Sequence, residues 1–147
     1  MPNPDVPVLT LEAVNALVPR LNQLVGRQLS LRADIEARLK SLCEITGNGP
    51  DNLAPRAEDP KETLDLKHQL SSRVEEYQTA WKDLEAMGAV LKDPRAGLLD
   101  FYGQVEGKLV WLCWKYGEKQ VAYYHALDEG FSGRKAIADS IKIRLLN

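Results

Sequence analysis

Residues 97–116 read GLLDFYGQVEGKLVWLCWKY, and this stretch decides the fold of the C-terminal part of the chain. It tends toward aromatic and β-branched residues, which are typical of β-strands. Glu106 and Gly107 interrupt the pattern near its middle, where they fit the two central positions of a tight turn. With this turn Val105 pairs with Lys108, and the stretch is predicted to form a β-hairpin.

The register of this hairpin predicts which side chains share a face. Counting back from the turn, Asp100 lies opposite Cys113, and Tyr102 lies opposite Trp111 on the same face. The other face is apolar and is expected to be the core side: Leu99, Phe101, Val110, Leu112 and Trp114. A slip of one residue would exchange the two faces, so the prediction depends on the turn.

The residues after the hairpin complete a β-rich block, which we assign to residues 92–134. Residues 116–119, YGEK, are typical of a turn, and residues 120–125 favour a third strand or a short extended segment. Together these segments predict a small antiparallel sheet. Residues 135–147 are then expected to form a short C-terminal helix or a tail, with Ser132 as a possible cap. The apolar positions of that helix are Ile137, Ile141 and Leu145.

Ahead of this block, the periodicity predicts two long helices, over residues 10–46 and 61–91. In the first, apolar residues recur at steps of three and four. They include Val14, Leu17, Val18, Leu21, Leu24 and Val25. Thr10 is a good N-cap and Gly47 a plausible C-cap. Between the helices, residues 47–60 carry three prolines and two glycines without periodicity, which indicates a loop.

The second helix carries an apolar seam that repeats every seven residues. Its members are Leu70, Tyr77, Leu84 and Leu91, with Val74 and Trp81 in the companion register. Two long helices joined by one loop fold back most simply as an antiparallel hairpin, here residues 10–91. The predicted fold is therefore α+β and mostly helical, with residues 1–147 forming a single domain. Because one neighbour cannot cover all the apolar helix positions, we also expect a homodimer that forms through the helices.

Composition excludes several classes of protein. The formal net charge is −2, which gives no global attraction to nucleic acid or to an anionic membrane. No apolar run approaches the roughly 20 residues that a membrane-spanning helix requires. The two cysteines, Cys43 and Cys113, lie far apart without CxxC spacing, which argues against a disulfide framework. We therefore expect a cytoplasmic protein that binds neither nucleic acid nor membrane.

Five short motifs in the C-terminal block stand at the spacing of a known family signature. They are GLLDF at 97–101, LCW at 112–114, GE at 117–118, YH at 124–125 and GFSGR at 130–134. This block resembles an uncharacterised bacterial family, domain of unknown function 2203, and residues 10–21 resemble the start of that family. Tyr102 stands where the family has Pro, and Tyr124 stands where it has Trp. The resemblance implies a helical region followed by this block, and it implies no activity.

The candidate chemistry is a quartet of side chains: Asp100, Cys113, Glu118 and His125. Thiolate, imidazole and carboxylate groups together suit a divalent metal such as zinc or iron. The hairpin register and the turn at Gly117 could bring all four into one site. The spacing matches no standard metal motif, so the same residues could instead form a hydrogen-bonded structural network.

Three further readings stay open. Gly133 and Arg134 lie in the short GFSGR loop, where backbone amides and a guanidinium could bind a small anion. The loop could instead be a plain turn in which Arg134 pairs with Asp100, Glu118 or Asp128. Cys113 could act as a nucleophile with His125 as its base. The protein could also be a non-catalytic interaction or scaffold protein, whose long amphipathic helices bind a partner. The sequence alone does not decide whether the protein is an enzyme, and it assigns no catalytic residue.

Overall fold

The computed structural model describes residues 5–47 and 53–137. These residues contain two helices, α1 (Leu11–Thr46) and α2 (Lys61–Ala86), followed by one five-stranded sheet in the order β1-β2-β3-β4-β5. The strands are β1 (Val90–Asp93), β2 (Leu98–Val105), β3 (Lys108–Lys115), β4 (Tyr123–His125) and β5 (Lys135–Ala136). Every neighbouring pair is antiparallel. The α+β class is therefore as predicted.

The ends of the helices follow local capping chemistry. The backbone amide of Ala13 donates to Oγ1 of Thr10 at 3.0 Å, which makes Thr10 the N-cap of α1. At the other end Gly47 has a positive φ of 80° and donates to the carbonyl of Cys43. Both caps were predicted. The first four backbone amides of a helix lack partners within it, and the Thr10 hydroxyl satisfies one of them.

The second helix ends at Ala86, five residues earlier than predicted. Gly88 adopts a φ of 101°, which a right-handed helix does not allow, and the chain leaves the helical path there. Leu91 consequently lies in β1 and pairs with Leu99, although it continues the seven-residue repeat of the helix. The chain turns directly after β1. Asp93 ends β1, and its side chain accepts hydrogen bonds from the amides of the following residues 95 and 96.

The contacts divide the chain into two units, one of Met1–Gly26 with Asp83–Asn147 and the other of Arg27–Lys82. In the second unit, side chains of α1 contact α2 at three pairs of residues. From one pair to the next, the residue number rises along α1 and falls along α2. The pairs are Gln28 with Tyr77, Asp34 with Arg73, and Arg38 with Gln69. This seam is partly polar, which explains why Val74 and Tyr77 are only half-buried. The predicted burial of Leu70 and Trp81 is confirmed there, and Leu84 is buried in the first unit.

In the first unit, the central hairpin has the predicted register. Val105 pairs with Lys108, and both residues of the turn have positive φ, 56° at Glu106 and 77° at Gly107. Positive φ at both central positions is the geometry of a type I′ turn, whose twist matches that of the flanking strands. The pairs Asp100–Cys113 and Tyr102–Trp111 follow from it, as expected. The predicted core face is fully buried or nearly so: Leu99, Phe101, Val110, Leu112 and Trp114.

The remaining strands extend the sheet beyond β3. The predicted third strand is shorter than residues 120–125, because only Tyr123–His125 is extended and paired. It pairs with β3 so that Trp111 faces His125 and Cys113 faces Tyr123. Lys135–Ala136, predicted as the start of a helix or tail, forms a fifth strand, and Ile137 after it is buried. Residues 138–147 of that segment lie outside the described residues. Within the described part of the chain, neither helix combines the length and apolarity that a membrane crossing needs.

Candidate metal site

Three polar side chains meet on the face of the sheet opposite Trp114. Directly paired residues point to the same side of a sheet, and so do residues two apart on one strand. Asp100 on β2 pairs with Cys113 on β3, and His125 on β4 pairs with Trp111, two residues before Cys113. Asp100, Cys113 and His125 therefore project to the same side. His125 is offset by two residues from Cys113, because its direct partner is Trp111. Its ring therefore reaches diagonally past β3 toward Asp100.

The three residues bring one potential ligand atom each into a small volume. A carboxylate oxygen of Asp100, the Sγ atom of Cys113 and a ring nitrogen of His125 lie within 4.8 Å of one another. The exposed fractions of the residues are 1%, 0% and 2%. Tyr102 and Trp111 lie on the same face and are buried as well. The cluster is therefore enclosed.

His125 is oriented by both of its ring nitrogens. Nδ1 lies 3.0 Å from the carbonyl oxygen of Ala126, which only accepts, so Nδ1 carries a proton. In the neutral ring Nε2 then has a lone pair, and this lone pair faces Oδ2 of Asp100 at 2.9 Å. Two acceptors at this distance need a proton or a metal ion between them. A histidine that donates Nδ1–H to a backbone carbonyl and points Nε2 at other ligands has the arrangement usual at protein metal sites.

Asp100 has one oxygen without a partner. Within the described residues Oδ1 is buried and forms no hydrogen bond. Burial raises the pKa of this carboxyl above its ordinary value of 3.8, and the nearby His125, Cys113 and Lys92 only partly offset that effect. A buried oxygen without a donor destabilises a fold by about 1–3 kcal/mol. A cation bound at Oδ1 would remove this cost.

Cys113 is a protonated thiol in this environment. Burial, with the nearby Asp100 carboxyl, raises its pKa to about 12. A nucleophilic role would need a base that faces the thiol, and both nitrogens of His125 are already engaged by Asp100 and Ala126. This arrangement disfavours the thiol nucleophile. It favours a sulfur that loses its proton only when a metal ion replaces it.

Glu118 belongs to a second layer. Its carboxylate binds the guanidinium of Arg134 through two contacts, Nη2 to Oε2 at 3.1 Å and Nη1 to Oε1 at 3.3 Å. Nη1 of Arg134 also lies 3.9 Å from Sγ of Cys113. Of the four predicted metal ligands, the structure thus brings three together, and Glu118 contacts them through Arg134.

The loop that carries Glu118 is held by the first half of α1. Asn22 receives a hydrogen bond from the amide of Gly117 and donates one to the carbonyl of Glu118. The indole of Trp114 donates to the same carbonyl at 3.1 Å. The Glu118 side chain also accepts from the amide of Lys115 at 2.7 Å. The helix and the end of β3 therefore fix Glu118 in position.

The predicted anion site at Gly133 and Arg134 has a different local structure. Residues Phe131–Gly133 form a 3-10 turn in which the amide of Gly133 donates to the carbonyl of Gly130. The amide of Arg134 donates to the carbonyl of Phe131. Both amides thus point to carbonyl groups inside the turn, and anion binding there stays a prediction that these contacts do not favour.

The sequence did not identify two groups near the cluster, the side chain of Lys92 and the carbonyl of Ala126. Tyr102 stacks on Trp111 with 4.0 Å between ring centroids, and Nζ of Lys92 lies 4.1 Å from the centroid of Trp111. The register placed the two rings side by side, but Lys92 was missed because the second helix was predicted to run to residue 91. The carbonyl of Ala126 could not be found, since a backbone atom in a loop has no sequence signal.

A comparison of the sequence with models of protein families identifies one family. A family model described as "Uncharacterized conserved protein (DUF2203)" matches residues 8–137, which include every helix and strand described above. No curated protein and no solved structure matches the chain. The matched range contains the three clustered residues as well as Glu118 and Arg134. Because the match covers far more than half of the 147 residues, the chain belongs to the DUF2203 family.

Proposed function

We propose that this protein binds one divalent transition-metal ion, Zn²⁺ or Fe²⁺, through Asp100, Cys113 and His125. The observation that supports this most directly is the approach of three ligand-type atoms to within 4.8 Å of one another in a buried cluster. The unpartnered Oδ1 of Asp100 and the orientation of His125 add to it.

The donor set restricts the metal. One oxygen, one sulfur and one nitrogen suit borderline ions such as zinc and ferrous iron, whereas magnesium and calcium prefer oxygen ligands throughout. Three protein ligands leave a fourth position on a tetrahedral zinc ion. Because all three residues are almost completely buried, the ion would be enclosed. We therefore propose a structural or sensing role for the metal and assign no reaction to it.

Metal titration of the whole chain tests this proposal. Protein stripped with a chelator is titrated with Zn²⁺ against a chromophoric competitor, and with Co²⁺ as a spectroscopic probe. We expect one ion per chain, with thiolate-to-cobalt charge-transfer absorption. Cys113→Ser and His125→Ala should each abolish this binding. The matched controls Cys43→Ser and His68→Ala should leave it intact, since Cys43 and His68 are not part of the cluster.

A second candidate has an observation of its own. The 2.9 Å contact between His125 and Asp100 is a buried hydrogen bond, and such a bond can stabilise a sheet without any metal. The protein would then be an interaction or scaffold protein that binds a partner through its helices. If neither wild type nor control variants bind Zn²⁺ or Co²⁺, and His125→Ala only lowers thermal stability, the scaffold proposal replaces the metal proposal.

We also propose a cellular setting and an assembly. The family resemblance and the two free cysteines fit a bacterial cytoplasm, which keeps thiols reduced. The formal charge of −2 does not favour nucleic acid as a partner. A homodimer that forms through the helices would cover apolar side chains that the monomer leaves accessible, such as Leu39 and Ile45.

A further inference from the structure

The guanidinium of Arg134 is fixed between the buried cluster and Glu118. A single nitrogen, Nη1, faces both Sγ of Cys113 at 3.9 Å and Oε1 of Glu118 at 3.3 Å. The planes of two rings hold the group in place, since its central carbon lies 4.0 Å from the ring centroid of Tyr123 and 4.2 Å from that of Phe131. Cation–π contacts of this kind favour one position of the guanidinium. Arg134 is therefore a positioned charge beside the thiol.

This charge opposes metal binding. A divalent ion ligated by Cys113 would lie a few ångströms from Nη1, where two positive charges repel strongly in a partly buried site. An arginine cannot relieve the repulsion by losing its proton, because it stays charged at any physiological pH. The side chain must move away, or the metal binds more weakly. The 17% exposure of the Arg134 side chain leaves it a route toward solvent.

Glu118, the partner of Arg134, carries a carboxylate, and carboxylates are common metal ligands. Both carboxylate oxygens of Glu118 contact Arg134 in this structure, and Oε1 also accepts a hydrogen bond from the amide of Lys115. Since the same nitrogen contacts the thiol and the carboxylate, removal of the guanidinium would leave Glu118 beside an ion bound to Cys113. A tetrahedral site with three ligands from the cluster has one position for it.

From these contacts we infer that Arg134 is an internal counter-ion that holds the site in its metal-free state, and that Glu118 becomes the fourth ligand when Arg134 leaves. This inference rests on the proposed metal-binding function. On binding, the S–H bond of Cys113 breaks, its proton passes to solvent, and the sulfur donates the released electron pair to the ion. Glu118 exchanges its guanidinium partner for the metal. No electron is transferred.

Zinc affinities of a double-mutant set test this inference. Arg134→Met removes the charge and frees Glu118, so its Zn²⁺ affinity should rise about tenfold, the lower end of what outer-shell changes produce. Glu118→Gln should cancel that gain in the Arg134→Met background. Arg134→Lys keeps the charge and should stay near wild type. Arg95→Met, which removes an exposed arginine of the same unit, controls for net charge.

Each outcome has one meaning. A merely structural role for Arg134 would weaken binding in every variant, whereas the counter-ion role strengthens it in one. The inference is overturned if Arg134→Met binds Zn²⁺ no more tightly than wild type, or if the gain survives Glu118→Gln. Should Arg134→Met fail to fold by circular dichroism, Arg134→Gln replaces it. Failure of the metal proposal looks different, because Cys113→Ser would then bind Zn²⁺ as wild type does, or no variant would bind.

Discussion

Nε2 of His125 lies 2.9 Å from Oδ2 of Asp100, although the strands that carry them, β4 and β2, are not neighbours in the sheet. The ring crosses above β3, where Cys113 occupies the middle position. A contact across a whole strand requires all three residues on one face. The alternation of the sheet therefore creates the cluster, and a shift of either register by one residue would abolish it.

The first prediction concerns protons. Because burial raises the pKa of Cys113 to about 12, the thiol is protonated at neutral pH, and a metal ion must displace that proton. We expect Zn²⁺ binding at pH 7 to release at least about one proton per ion, and the affinity to rise as pH rises. Calorimetric titration in two buffers of different ionisation enthalpy measures the number. Cys43→Ser should release the same number, and binding without proton release would contradict a thiolate ligand.

Gly103 gives a prediction about packing. A Cβ atom at this position would overlap the side chain of Leu112, which lies over the glycine on the core face. We expect Gly103→Ala to lower the free energy of unfolding by about 1–3 kcal/mol, the usual cost of an extra methyl group in a filled core. The matched control is Gly130→Ala, since a Cβ there meets no atom within 4 Å. Equal denaturation midpoints for the two variants would show that Leu112 gives way freely.

The hairpin turn can be improved. Glu106 has a φ of 56°, a left-handed conformation that costs a residue with a Cβ about 1 kcal/mol. Asn tolerates this conformation better and is preferred with Gly in type I′ turns. Glu106→Asn should therefore raise the free energy of unfolding by a few tenths up to about 1 kcal/mol. Gly107→Ala, whose φ is 77°, should do the opposite, and chemical denaturation compares the two. A destabilised Glu106→Asn would mean that the glutamate makes a compensating contact.

The sheet face of the candidate site could be derived from sequence because one tight turn fixes the register of β2 and β3. With Val105 paired to Lys108, the side-chain period of two leaves no choice for Asp100 and Cys113. The helix caps were predictable for a similar reason, since each depends on a few neighbouring residues. Thr10 is the example at the start of α1.

Other parts depend on contacts that no local pattern reports. A pairing of Arg134 with a nearby carboxylate was expected, but its simultaneous contact with Glu118 and Cys113 results from the loops around residues 116–134, which have no periodicity. The end of α2 was misplaced because Leu91 continues a helical repeat, while the positive φ of Gly88 decides the outcome.

Self-association is the fourth prediction. Leu39 and Ile45 expose 41% and 42% of their surface, and a twofold interface along the helices would bury them. Light scattering at about 100 µM should give a dimer, since this concentration populates any dimer of micromolar affinity. A paired change to Leu39→Glu and Ile45→Glu should give a monomer with the helical content unchanged. A monomeric wild type at that concentration would contradict the prediction.

The last prediction concerns acid stability in the helical unit. Nζ of Lys67 is buried and lies 2.6 Å from Oδ2 of Asp59 and 3.1 Å from the carbonyl of Ala54, so it holds the loop before α2 against the helix. The hydrogen bond from Lys67, followed by one from the amide of Arg56, lowers the pKa of Asp59 below its ordinary value of 3.8. A lowered pKa in the folded state means that this carboxylate stabilises the fold above about pH 4. The contribution is lost as pH falls through the lowered pKa.

Asp59→Asn should therefore lower the denaturation midpoint at pH 7, and the difference from wild type should shrink toward pH 3. Asp65→Asn, which changes an exposed carboxylate on α2, should change the midpoint little at either pH. A difference for Asp59→Asn that is the same at pH 7 and pH 3 would show that the ion pair does not stabilise this unit.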